Sequence, residues 1–275
     1  MKQKVLLTGA SGFVGRHVLA RLHAAGVPLR VIARPRRDRG ADWPPGAEII
    51  ETGDLFAEPA AWWADVAAGC SRVLHLAWYV EPGLYLRSPR NLDCLAGTLA
   101  MARGCARAGV SRFVGVGTCF EYDTSAGHLS VDTPLRPMSP YAAAKAAAYL
   151  ALDGFLREAG ISFAWCRLFY LHGEGEDPRR LIAYVRQRLA QRLPVELTHA
   201  NQVRDYMPVE DAARDLAQHL MGERQGAINV CSGRAVTVRA LVEALADASG
   251  HRDLLRFGAR PDNDIDPPVI VGVKD

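Results

Sequence analysis

The chain has no apolar run approaching the ~20 residues needed to cross a bilayer, so no membrane-spanning role is expected. Net charge is also scarce: 33 Lys and Arg against 30 Asp and Glu leave +3 at neutral pH. Arginines cluster at 34–39, but no basic face alternates with aromatics, which argues against a nucleic-acid partner. The mild arginine excess suits anionic small molecules instead. The six cysteines, at 70, 94, 105, 119, 166 and 231, show no Cys-x-x-Cys spacing, so buried free thiols are expected rather than a zinc site or a disulfide framework. His17, His23, His128, His172, His199, His219 and His251 likewise lack metal-ligand spacing, and no metal is expected. Internal repeats, low-complexity tracts and flexible linkers are missing, and Met1-Lys2-Gln3-Lys4 leads into an apolar strand rather than a signal segment, which implies a cytoplasmic location.

What is present is a chain of 275 residues, 49% apolar, able to bury a large core. Strand-like runs near 4–8, 29–33, 47–50, 72–76, 111–117 and 161–168 alternate with helical stretches near 12–26, 58–69, 91–109 and 139–158. Such alternation predicts an α/β fold, a doubly wound parallel sheet of Rossmann type, with ligands at the carboxyl ends of the strands. From about residue 170 shorter elements follow, near 178–192, 194–197, 209–222, 227–231 and 237–249. Residues 1–170 are therefore assigned to one domain and 171–275 to a small substrate-binding lobe.

The first strand runs into Gly9-Ala10-Ser11-Gly12-Phe13-Val14-Gly15 and then into a helical pattern. Strand, glycine turn and helix in that order place backbone amides and a helix N-terminus against a pyrophosphate, the signature of dinucleotide binding. After the second strand, where an NAD enzyme commonly carries an acidic residue, the sequence reads Ala33-Arg34-Pro35-Arg36-Arg37. A guanidinium at Arg34 can hold the extra phosphate of NADP by paired hydrogen bonds, so NADP (NADPH) is preferred over NAD.

Tyr141 and Lys145 stand four residues apart in an alanine-rich run headed by Ser139 and Pro140, which suit an N-cap and first helical residue. Both should share one helix face. A phenol beside an ammonium is expected to have a lowered pKa and to exchange protons with a carbonyl or an alcohol.

Thr8-Gly9-x-x-Gly12-x-x-Gly15, Gly53-Asp54-Leu55, His75-Leu76-Ala77, Thr118 ahead of Glu121-Tyr122, and Tyr141-x-x-x-Lys145 together resemble the extended short-chain dehydrogenase/reductases. The likeness is to their NAD(P)-dependent nucleotide-sugar epimerase/dehydratase/reductase family. It continues through Arg167–Gly173, Arg204–Asp211 and Asn229–Gly233, and so covers nearly the whole chain; it implies that the dinucleotide-binding domain, 1–170, and the substrate-binding lobe, 171–275, interleave across a soft boundary. The resemblance implies Tyr141 as general acid/base, Lys145 as the group that tunes it and binds the nicotinamide ribose, and Thr118 as the hydrogen-bond donor to the reacting oxygen. It further implies Asp54 and Leu55 beside the adenine, Leu76 and Ala77 along the cofactor cleft, and Arg204 and Arg260 on the substrate's pyrophosphate. Tyr170 and Cys94 depart from the family pattern at positions where many relatives carry asparagine. The resemblance also implies a homodimer through helices 91–109 and 139–158; burial of those helices within one subunit is the alternative.

Dehydratases of the family place acidic groups directly after the active-site threonine, whereas Cys119-Phe120 follow Thr118 here, which disfavours a 4,6-dehydratase. Cys119 is read as a structural thiol rather than an acid/base. An NADP preference favours a reductase, so the expected reaction is reduction, or the reverse oxidation, at the 4-keto group of a nucleoside-diphosphate deoxysugar. The alternatives are an NAD-dependent nucleotide-sugar 4-epimerase, a reductase of a non-nucleotide carbonyl, for which Trp78-Tyr79 would supply stacking in place of plain loop packing, and a non-catalytic dinucleotide sensor. A sensor has no use for the threonine, tyrosine and lysine together.

Overall fold

The computed structural model describes residues 4–35, 43–261 and 267–274. The first half runs β1 (Val5–Thr8), α1 (Phe13–Ala24), β2 (Leu29–Ala33), β3 (Glu48–Glu51), α2 (Ala60–Ala67), β4 (Arg72–His75), α3 (Arg90–Arg107), β5 (Arg112–Thr118), β6 (His128–Leu129) and α4 (Pro140–Glu158). Then come β7 (Ser162–Leu168), β8 (Tyr170–His172), α5 (Leu181–Ala190), β9 (Val195–Glu196), β10 (Val203–Arg204), β11 (Tyr206–Pro208), α6 (Val209–Met221), β12 (Gly226–Val230), β13 (Val236–Thr237), α7 (Val238–Ser249), β14 (Leu255–Arg256) and β15 (Val269–Gly272).

Seven strands form one parallel sheet in the order β12-β7-β5-β4-β1-β2-β3. Strands buried on both faces read as continuous apolar runs, as Val5-Leu6-Leu7 does, because helices cover each side. On one face α1 and α6 pack over Leu7, Val31, Val114 and Ile228; on the other α2, α3 and α4 pack over Leu6, Val73, Phe113 and Trp165. The strand order reverses between β1 and β4, and the crevice at their carboxyl ends is where such sheets take ligands.

Past β7 the chain does not leave the sheet for good. The helix α6 belongs to the main core and β12 extends the sheet beside β7. Between these returns, α5 and α7 pack on Val195, Leu197, Leu254 and Phe257 as a smaller core. A second sheet, β13-β10-β15-β6, ties the end of the described chain to the loop after β5. Among the described residues no helix is long and apolar enough to cross a membrane, and no group of His, Cys, Asp and Glu is arranged to hold a metal.

Candidate active site

The glycine turn sits at the head of the crevice. Gly9 has φ +73°, and a Cβ there would lie 2.7 Å from the Ala77 backbone nitrogen, so only glycine lets the loops after β1 and β4 meet. A Cβ on Gly15 would overlap the Gly9 carbonyl, which fixes glycine where α1 leaves the turn. Gly12 caps α1 without a side-chain hydrogen bond, and the first turn carries no acid, so the helix presents free amides to an anion. Ser11, Phe13 and Val14 are half-buried around it. These features fit the pyrophosphate of a dinucleotide.

Around the turn runs a buried hydrogen-bond chain of fixed polarity. Thr98 Oγ1 donates to the Cys94 carbonyl at 2.7 Å, so it accepts from His75 Nε2 at 2.9 Å. His75 Nδ1 then accepts from Thr8 Oγ1 at 2.8 Å, and Thr8 Oγ1 in turn accepts the Ala77 amide at 3.3 Å. The chain holds His75 as a neutral imidazole, and burial lowers its pKa from 6.5 to about 3, with Lys145 adding to the effect. It fixes Ala77 against Gly9.

Farther out, Asp54 accepts the Phe56 amide at 3.0 Å and pairs with Arg90 at 3.2 Å; Leu55 is buried in the α2–α3 core, and Leu76 packs against the opposite one. Arg34 follows β2 and is half-buried; Arg36 and Arg37, the rest of the basic segment, lie outside the described residues.

Thr118, Tyr141 and Lys145 do converge. Thr118 ends β5, and α4 lays its alanine face on that strand and on α3, with Ala142, Ala144, Ala146 and Ala148 buried within the subunit. Ser139 accepts the Ala142 amide at 3.2 Å and Pro140 takes the first helical position, so the helix begins one residue before Tyr141. The Thr118 hydroxyl acts on the Tyr141 phenol, lowering its pKa, and Lys145 Nζ donates to the Val116 carbonyl at 2.6 Å.

The protonation of the pair differs from what its spacing alone implies. Burial, then the neighbouring Tyr85 phenol, pushes Tyr141 well above the usual phenol range, against the lowering effect of the Thr118 side chain. Burial also lowers Lys145 from 10.5 to about 7, with Glu121 and Cys94 pulling it back up. Loss of water disfavours both charges, and that cost outweighs the attraction between them. The result is a neutral phenol, ready to give a proton.

Glu121 is fully buried and committed elsewhere. It pairs with the equally buried Arg167 at 2.7 Å and accepts the Trp165 indole at 3.0 Å and the Thr118 amide at 2.8 Å. Cys119 is inert: burial raises its thiol to about 12.

Of the two arginines expected at the substrate's pyrophosphate, Arg204 is buried beside Tyr170, its guanidinium 5.5 Å from the ring and its Nη1 donating to the Val203 carbonyl at 2.9 Å. Tyr170 meets the Phe120 ring edge-on at 6.2 Å, two residues past Thr118, so Arg204 lies on the Thr118 side of the second sheet. Asp205 holds that strand in place by accepting the Ser232 and Gly233 amides, each at 2.8 Å. Arg260 instead lies exposed in the smaller core's rim, bonded to the Tyr184 hydroxyl at 3.0 Å. Motif reading missed Tyr85 and Asn91. Tyr85 meets Tyr141 edge-on at 4.8 Å, and the Tyr141 amide donates to the Leu86 carbonyl at 3.1 Å. Only the aromatic content of the 78–88 loop hinted at this.

The sequence model of the NAD dependent epimerase/dehydratase family matches residues 5–231. The chain belongs to that family. It is an NAD(P)-dependent enzyme of the extended short-chain dehydrogenase/reductase type. Among curated proteins it is similar to the dTDP-6-deoxy-L-talose 4-dehydrogenase (NAD(+)) of Aggregatibacter actinomycetemcomitans, 23% identical over 98% of this chain and 99% of that protein. It is also similar to the GDP-6-deoxy-D-mannose reductase of Pseudomonas aeruginosa, 29% identical over 90% of this chain and 80% of that one. Among solved structures, the NAD complex of UDP-glucose 4-epimerase from Thermus thermophilus superposes with a TM-score of 0.84 at 25% identity, covering 98% and 90% of the two chains.

Proposed function

We propose that this enzyme reduces, or reversibly oxidises, C4 of a nucleoside-diphosphate 6-deoxysugar with NADP(H). The observation that carries the reading is the convergence of Thr118, Tyr141 and Lys145 at the end of β5, with the phenol held neutral. Two relatives whose names specify chemistry at a 6-deoxysugar support the substrate class. Bound dihydronicotinamide supplies the hydride. Tyr141 gives its proton to the ketone oxygen as charge develops there, and Thr118 orients that oxygen through its hydroxyl. Lys145 holds a ribose hydroxyl and offsets the charge left on the phenolate. Arg204 and Arg260 bind the diphosphate, and Arg34 the additional phosphate that distinguishes NADP.

Glu121 is unavailable as the additional acid that dehydration needs, because Arg167, Trp165 and the Thr118 amide already take its oxygens. A second reading, an NAD-dependent 4-epimerase, draws on the NAD-bound Thermus epimerase. We place the reaction in the cytoplasm and in a homodimer, joined through Leu92 of α3 and Leu150 and Phe155 of α4, which are exposed. Nicotinamide absorbance on mixing with NADPH and dTDP- or GDP-linked 4-keto-6-deoxysugars tests the proposal. A stoichiometric fall is expected. Interconversion of UDP-hexoses by retained NAD, with no consumption of NADPH, would select the epimerase.

A further inference from the structure

Lys145 is buried, 3% exposed, yet among the described residues no carboxylate forms an ion pair with it. The titratable and charged groups about it are Glu121 in the turn after β5, Cys94 on α3, His75 on β4, Tyr141 on its own helix and, beyond Glu121, Arg167 on β7. Glu121 favours the ammonium electrostatically, but none of these groups forms a direct ion pair with it. Glu121 is bound to Arg167, burial keeps the Cys94 thiol protonated, and His75 is locked neutral. An ammonium so placed has to draw its direct contacts from neutral groups.

It finds one in the loop after β4. The Lys145 nitrogen lies 3.9 Å from the centre of the Trp78 ring and 5.7 Å from that of Trp165. Trp78 is not free to turn, because its Nε1 donates to Asn91 Oδ1 at 2.9 Å and Phe56 meets it edge-on at 6.2 Å. Asn91 is itself fully buried and fully used: its amide nitrogen donates to the Tyr85 carbonyl at 2.7 Å and the Ser88 carbonyl at 2.9 Å. One asparagine therefore fixes the loop that lays Trp78 on Lys145 and Tyr85 on Tyr141.

We propose that Trp78, pinned by Asn91, is a positioning residue of the active site, whose indole face holds the Lys145 side chain in place and keeps it protonated. Tryptophan gives the strongest such contact, and burial strengthens it. Of the three N–H bonds of the ammonium, one goes to Val116 and one faces the indole, which leaves one for a cofactor hydroxyl. The effect on turnover rests on the role given to Lys145 under Proposed function; the effect on Lys145 itself does not.

The chain has only four lysines, so lysine-labelled NMR of the cofactor-free protein can follow Lys145 alone. In Trp78→Leu its titration is expected about one pH unit lower than in the parent, and in Trp78→Phe lower by a smaller step. The alkaline fall in the rate of keto-sugar reduction is expected to move to lower pH in the same order, because a charged Lys145 is required. A purely structural loss would lower the rate without moving that limb. An unchanged Lys145 titration in folded Trp78→Leu overturns the proposal; should circular dichroism show that variant unfolded, an unchanged titration in Trp78→Phe does so. A shifted titration with no keto sugar reduced would leave Trp78 as the group that tunes Lys145 and refute the proposed reaction.

Discussion

His75 makes the stability of this enzyme depend on pH in a way that can be calculated. In the unfolded chain its imidazole takes up a proton near 6.5; in the folded chain it does so only near about 3, because protonation would put a charge in a buried site and break the Thr8–His75–Thr98 chain. Below 6.5 the unfolded state binds the additional proton, so stability is complete above that value and is lost as the pH falls towards 3. At about 1.4 kcal/mol per pH unit the loss reaches about 2 kcal/mol at pH 5 and levels off near 5 kcal/mol. Urea unfolding of the parent and of His75→Gln at several pH values between 8 and 4 isolates this contribution, since acid effects on carboxylates are common to both. The variant is expected to be less stable at pH 8, having lost part of the buried hydrogen-bond chain, and the gap is expected to narrow by about 1.4 kcal/mol per unit below pH 6.5. Parallel stability curves for the two proteins would refute the argument that His75 is locked neutral.

The remaining predictions concern the reaction centre and its support. Tyr141→Phe removes the proton donor but leaves the glycine turn intact, so turnover should be abolished while calorimetry reports little change in NADPH affinity. Arg34→Ala should raise KM for NADPH about tenfold or more and leave KM for NADH nearly unchanged, as expected for a charge-assisted contact made to one cofactor only. Glu121→Gln strands the Arg167 guanidinium in the core and should cost about 3 to 5 kcal/mol in denaturant unfolding. Glu121→Leu combined with Arg167→Met should cost less than either single change, because no unpaired charge remains.

Much of the fold was legible in the sequence because it is written in short range. The apolar run Val5-Leu6-Leu7, the glycines that follow and the alanine helix headed by Ser139-Pro140 each declare their structure locally, and their order along the chain sets the parallel sheet. The small strands β6, β10, β13 and β15 were not anticipated. They are two to four residues long and owe their pairing to segments far apart, as in the joining of Val271 to His128. The convergence of Thr118 with Tyr141 and Lys145 followed from motif order, but their protonation did not. Spacing shows that a phenol and an ammonium are near each other; only burial shows that both lose water, and that loss reverses the direction for Tyr141. Trp78 was assigned to loop packing or substrate stacking, since nothing in the sequence places its ring on Lys145. That contact depends on Asn91, thirteen residues away, reaching back to the indole.

The central claim is that hydride passes from reduced nicotinamide to C4 of a nucleotide-linked 4-keto-6-deoxysugar beside the Tyr141 phenol. Incubation with NADPH deuterated at the transferring position, followed by mass spectrometry of the sugar product, tests it most directly. The account predicts one deuterium in the product, carried at C4, and none transferred by Tyr141→Phe. An unlabelled product, or label passed on at parental rates without the Tyr141 hydroxyl, would contradict it.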